Sequence, residues 1–276
     1  MKITIKQKSE RKYKDTLFRK LFGDSKNFLE LYNAVADEHY PDDTIVTPCP
    51  SNDLLARFND LAACIGNQLI VFFEHQSQIS TNMPLRLLPY VHDILYSQII
   101  DMNKLYSSAQ IHIPAPKFYV LYNGKQKLKT HVIRLSDAFI YRDCEPAMEL
   151  VANVIDINLE SGEDALNRSN TLQGYSFLIE EIRKNQLSGM TRDNAIKTAI
   201  NKCIGKDILK AFLTEYYQEV AQMLNWEYDA EAEKKVLTEE AIQEGLQQGA
   251  ERLAKLIKDG MPLDAALEKV KGDACI

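Results

Sequence analysis

Asp60, Glu74 and Gln76 are the residues whose types and spacing could do chemistry in this chain. The apolar run LIVFF at 69–73 ends in Glu74-His75-Gln76. Side chains alternate along a strand, so Glu74 and Gln76 share a face and His75 takes the other. Asp60 opens DLAACI, and the Gly66-Asn67 pair between the two apolar runs predicts a tight hairpin turn. That turn brings Asp60 and Glu74 toward the same end of the ribbon. Two carboxylates held together repel unless one is protonated or a cation lies between them, and all-oxygen ligands favour a hard ion such as magnesium. Such an ion keeps positions open for water and a phosphate oxygen, acidifies the water and offsets charge developing at phosphorus. The chemistry expected of the triad is phosphodiester hydrolysis.

The elements that must position these groups are legible from periodicity. Residues 15–37 carry Leu17, Leu21, Phe22, Phe28, Leu29, Tyr32 and Val35 at helical spacing and predict one or two amphipathic helices. LLARF, DLAACI and LIVFFEHQ predict three short strands. Pro84 can occupy a first helical turn, and Leu85, Leu88, Val91, Ile94, Leu95 and Ile99 then repeat at three and four residue steps. KFYVLY, a basic segment around 127–135, and ELVANVIDINL at 149–159 predict further strands, with Asn123-Gly124 as a turn. After about residue 165 strand signals stop, and GYSFLIEEIRKN, RDNAIKTAINKCI and DILKAFLTEYYQEVAQMLNW are periodic as helices.

The spacing Asp60, Glu74, Gln76 resembles the PD-(D/E)XK nuclease signature in the form found in the recombination-promoting nuclease (Rpn) family. The blocks KDTLFRKLFGD, NDLAACIGNQLIVFFEHQSQISTNMPLRLLPY, KFYVLYNG, AIKTAINKCI and EEAIQEGLQQG are similar to that family in the same order and span most of the chain. The resemblance implies an α/β fold, a PD-(D/E)XK-like core with a mixed central sheet flanked by helices, followed by an all-helical C-terminal region. It divides the chain into a nuclease core at 1–163 and a helical region at 164–276. It also implies a magnesium-dependent or manganese-dependent DNA endonuclease linked to recombination or mobile elements. Asp60 and Glu74 would hold the metal, with the His75 carbonyl as a further oxygen, and Gln76 would stand at the signature's lysine position. A neutral glutamine orients water or phosphate but supplies no positive charge. The alternative is therefore a catalytically inactive nuclease-fold protein acting as a DNA-binding or assembly module. Asp15 is a candidate acidic contact. Arg86 is a candidate phosphate contact that could equally cap or pair on its own helix.

Charge distribution bears on a nucleic-acid partner. The net charge is -6, but residues 226–276 hold 12 acids and 7 bases and so account for most of it. Residues 1–26 hold 9 Lys or Arg against 3 acids, and residues 102–134 hold 6 against none, so two basic stretches could track phosphates. The five cysteines form no C-x-x-C pair, which argues against a thiolate zinc site and a disulfide framework. His39, His92, His112 and His131 lack ligand spacing. No apolar run approaches a membrane span and the N-terminus lacks an apolar leader core, so a cytoplasmic protein is expected. Ile242, Leu246, Leu253 and Leu256 form a heptad-like stripe in a tail at about 230–276, from which a homodimer is expected, with folding back onto the chain's own helices as the alternative.

Overall fold

A computed structural model describes residues 17–49, 61–141 and 145–273. Two helices open it, α1 (Leu17–Phe22) and α2 (Ser25–Ala36), separated where Asp24 caps α2 by accepting from the Lys26 amide. Six strands follow: β1 (Val46–Pro48), β2 (Leu61–Ile65), β3 (Leu69–Gln76), β4 (Ala115–Tyr122), β5 (Val132–Arg134) and β6 (Val151–Asp156). They form one mixed α/β sheet in the order β1-β2-β3-β4-β6-β5. β1, β2 and β3 are antiparallel, β3, β4 and β6 are parallel, and β5 returns antiparallel to β6.

The β2–β3 hairpin turns at Gly66 and Asn67, both left-handed with φ 55° and 56°, and the Gln68 amide donates to the Ile65 carbonyl at 3.0 Å. A turn with both central residues left-handed matches the right-handed twist of its strands, and glycine and asparagine are the residues that tolerate it. The expected hairpin is thus present, with Leu61 opposite Phe73 and Ile65 opposite Leu69.

Parallel strands covered on both faces should be apolar throughout, and LIVFF and FYVLY are. Helix α3 (Met83–Ile94) crosses from β3 toward β4 and sets Met83, Leu87, Tyr90 and Ile94 against Ile70, Phe72, Phe118, Val120, Tyr122 and Val154. On the other face Phe28 meets Phe73 edge-on at 5.1 Å, Tyr32 meets Tyr119 at 6.1 Å, and Phe18 stacks on His75 at 5.1 Å. Such aromatic pairs contribute roughly 0.5–1.5 kcal/mol each beyond the area they bury.

The structure departs from the sequence reading at two strands, and a third expected strand is not among those described. LLARF lies outside the described residues. β1 was not expected, because a three-residue edge strand ending in proline carries almost no periodic signal. The basic strand expected at 127–135 is reduced to Val132–Arg134, and Lys125, Lys127 and Lys129 are exposed on irregular chain. Alternating lysines imitate a strand's period without an apolar face to bury.

Beyond β6 come α4 (Asp164–Arg168), α5 (Asn170–Leu187), α6 (Arg192–Gly205), α7 (Lys210–Glu215), α8 (Tyr217–Lys258) and α9 (Leu263–Asp273). Ser169 caps α5 by accepting from the Leu172 amide, and its hydroxyl donates to Glu30 of α2 at 2.6 Å. Leu172, Tyr175, Leu178 and Ile182 of α5 are buried, as are Ala195, Ile196, Ala199 and Ile200 of α6. By internal contacts the chain divides into Met1–Asn225 and Trp226–Ile276. In the second unit Gly260, at φ 89°, follows α8, and Pro262 precedes α9. Leu246 is exposed, and Leu253 and Leu256 are partly buried. No helix among the described residues is long and apolar enough to cross a membrane.

His75 is a packing residue, as its position opposite the Glu74 face requires. Its Nε2 lies 3.1 Å from the Tyr175 hydroxyl, and its ring is held between Phe18 and Tyr175. Burial, with the Arg183 guanidinium adding to it, lowers its pKa from 6.5 to about 4. The folded chain therefore holds His75 neutral where the unfolded chain would protonate it. Stability is expected to be complete above pH 6.5 and to fall as the pH drops from there to about 4. Denaturant unfolding across that range checks this, and His75→Gln should flatten the slope. An unchanged slope in the variant would assign the acid sensitivity elsewhere.

Candidate active site

Glu74 is the sixth residue of β3 and only 3% exposed. A carboxylate at that depth needs compensating charge or hydrogen bonds. The helix after the strand supplies charge. Six residues connect β3 to α3, and Pro84 sits in its first turn, where a missing amide donor is harmless. Arg86 lies in that same turn, three residues after buried Met83 and four before buried Tyr90, so it faces the sheet. Its Nη2 is 3.6 Å from Glu74 Oε2. With the Gln76 amide oriented to suit its neighbours, Gln76 accepts from Arg86 Nη1 at 2.9 Å and donates to the Gln78 carbonyl at 2.9 Å. Glu74, Gln76 and Arg86 therefore form one cluster, in which Arg86 neutralises the carboxylate.

The ion pair crosses from helix to strand, a contact distinct from both the phosphate contact and the capping or pairing on its own helix expected of Arg86. A cation in a first helical turn opposes the positive end of the helix dipole. That misplacement was a signal in the sequence that Arg86 answers to an anion outside its own helix.

Asp60 and Asp15 lie outside the described residues. Among the described residues no group of three His, Cys, Asp or Glu is arranged to hold a metal ion. Leu61, the residue after Asp60, is paired with Phe73, the residue before Glu74.

Sequence reasoning missed the neighbouring strand ends. Gln76 is in register with Tyr122, and Tyr122 with Asp156, so these three side chains share the α3 face at the C-terminal edge of the parallel strands. That edge is where open α/β sheets bind ligands. Asp156 accepts from the Asn158 amide at 3.0 Å and from Asn158 Nδ2 at 2.7 Å, and Asn158 Nδ2 also reaches the Gly124 carbonyl at 3.0 Å. From α5, Arg183 donates to Asn158 Oδ1 at 2.9 Å and to the Asn123 carbonyl. A Cβ at position 124 would overlap the Ser77 carbonyl oxygen and the Tyr122 hydroxyl, so the Asn123-Gly124 turn depends on glycine for space rather than for an unusual φ. The only trace of this network in the sequence was the Asn123-Gly124 pair, since Asp156, Asn158 and Arg183 have no fixed spacing to Glu74.

The arrangement places a buried carboxylate and an amide beside one guanidinium at a strand end, with a second guanidinium bound to the neighbouring strand ends. It can orient an anion and compensate negative charge. Against known proteins the chain matches no family model, no curated protein and no solved structure.

Removing one partner of a largely buried ion pair leaves the other charge uncompensated. Arg86→Ala is expected to destabilise the fold by about 1–2 kcal/mol, less than a fully buried pair would cost because its side chain is 35% exposed. Glu74→Gln is expected to be neutral or stabilising, because it removes a desolvated charge. Urea unfolding of both single variants and the double variant checks this. Equal losses for Arg86→Ala with and without Glu74→Gln would show that the pair is not coupled.

Proposed function

We propose that this chain is a metal-dependent endonuclease that hydrolyses phosphodiester bonds in DNA, built on a PD-(D/E)XK-like core and belonging to the Rpn-type nucleases of recombination or mobile elements. The observation that carries the reading is Glu74, a carboxylate 3% exposed at the end of the central strand, on one face with Gln76. Burial of an acid in an otherwise apolar strand costs stability that function must justify.

Glu74 fits a hard divalent cation through its carboxylate oxygens, and Asp60, adjacent in sequence to Leu61 and so within one residue of Phe73's partner, is the second ligand proposed. The His75 carbonyl is the third. A bound magnesium or manganese ion supplies charge neutralisation at the phosphate and lowers the pKa of water. The chain's own residues do the rest. Gln76 orients water or a phosphate oxygen through its amide, and Arg86 carries the positive charge that glutamine lacks at the signature's lysine position. Were a cation held by Glu74, Arg86 would be available to contact a phosphate oxygen through its guanidinium.

The second reading, an inactive nuclease-fold protein that binds DNA, is favoured by the same contact: Arg86 already compensates Glu74. Cleavage of supercoiled DNA in a magnesium and manganese titration separates the two. Glu74→Gln and Asp60→Asn should abolish cleavage, Arg86→Gln should lower it by about a hundredfold, and Gln76→Ala by about tenfold with metal affinity retained. Cleavage by Glu74→Gln at the parent rate would remove the site from the mechanism. Undiminished DNA binding with no cleavage in either metal would select the second reading.

DNA affinity should depend steeply on salt. Lys125, Lys127 and Lys129 are exposed on the segment leaving the C-terminal edge after Gly124. Replacing all three with Gln should reduce the slope of log affinity against log salt by roughly one to three. An unaltered slope would place phosphate contacts elsewhere.

A further inference from the structure

Cys49 lies at the end of β1 and Cys64 on β2, apart from the cluster around Glu74. Cys49 immediately follows β1, and its amide donates to the Ala62 carbonyl at 2.9 Å, which carries the β1–β2 ladder one residue further. Thr47 is opposite Cys64, so Cys49 and Cys64 are diagonal neighbours on one face of the ladder. Cys64 is in register with Ile70, which places both thiols on the α3 side, packed at the margin of its apolar cluster. Their sulfurs are 3.5 Å apart, and both side chains are partly exposed.

We propose that Cys49 and Cys64 are a modification site that forms a reversible disulfide with a low-molecular-weight disulfide as oxidant. A bonded pair of sulfurs is about 2.05 Å apart, so the two must approach by about 1.5 Å. The end of β1 is the place where backbone can move by that amount, because among the described residues β1 is an edge strand and Cys49 is its last ladder residue. In the exchange, one cysteine thiolate attacks a sulfur of oxidised glutathione and expels a glutathione thiolate. The second cysteine attacks the resulting mixed disulfide at the protein sulfur and expels the second glutathione. The protein sulfurs together lose two electrons, one oxidised glutathione gains them, and the two cysteine protons end on the two glutathione thiols. Burial and the neighbouring Cys64 sulfur push the Cys49 thiol up to about 12, so the exchange is slow at neutral pH and quickens as the pH rises.

The bond would tie the edge strand to β2 and close a chain loop that includes Asp60. Cys203 is an internal control: it is fully buried on α6, and burial pushes its thiol up to about 12.

The experiment holds the full chain in glutathione buffers of stepped oxidised-to-reduced ratio at pH 8.5, followed by acid quench, alkylation, digestion and mass spectrometry. The expected result is a peptide linking Cys49 to Cys64 that becomes the major form as the ratio rises, disappears on addition of dithiothreitol, and leaves Cys203 alkylated throughout. Cys49 and Cys64 recovered as alkylated thiols at every ratio would overturn the proposal, and so would separate glutathione adducts on the two residues. In the oxidised chain, hydrogen exchange at the Cys49 amide should slow by about tenfold or more, because opening of the edge strand is then restrained. Neither readout requires nuclease activity.

Discussion

The register of β3 governs the arrangement of everything packed around it. Ile70, Phe72, Glu74 and Gln76 point to α3, while Val71, Phe73 and His75 point to the helices on the opposite face. A slip of one residue would exchange the two sets, burying Glu74 against Phe18 and Tyr175 and turning His75 toward Arg86. The Gly66-Asn67 turn on one side and the parallel pairing with β4 on the other prevent that slip. Because β4 is parallel to β3, the crossover through α3 returns the chain to the same end of the sheet. The first turn of α3 therefore lies over the end of the strand that carries Glu74.

The polar end of the sheet is held by two arginines that approach from opposite faces. Arg86 belongs to the α3 face and compensates a carboxylate. Arg183 comes from α5, binds Asn158 and the Asn123 carbonyl, and adds to the burial that lowers the proton affinity of His75. Neither interaction resembles the apolar packing a few residues earlier on the same strands, where Phe72 stacks on Phe118 at 5.0 Å. Stability comes from that apolar part, and the strand ends concentrate groups that cost desolvation. This division is the usual one for a scaffold and a site: rigid packed strands hold a few polar groups in fixed directions at their ends. Positive charge at the same edge suits an anionic ligand, and the overall acidity of the chain does not oppose it, since most of the acidic excess belongs to residues 226–276.

Local chemistry made much of this legible from residue order alone. LIVFFEHQ is β3 to the residue, because a short apolar run rich in β-branched and aromatic residues, entered from a Gly-Asn turn, favours a buried strand. Gly66-Asn67 specified the hairpin, and Pro84 specified where α3 begins, because each restricts its own backbone. The shared face of Glu74 and Gln76 and the opposite face of His75 followed from the period of two. These are properties of a residue and its neighbours along the chain, so no distant contact is needed to infer them. The joining of Arg86 to Glu74 and Gln76, the line from Gln76 through Tyr122 to Asp156, the bridging by Arg183 and the meeting of Cys49 with Cys64 are different in kind. Each depends on strand order, on register between strands far apart in the chain, or on a helix side chain reaching across a crossover. Such contacts are selected by how the whole apolar surface can be buried at once, and that condition is satisfied by the folded chain rather than by any segment of it.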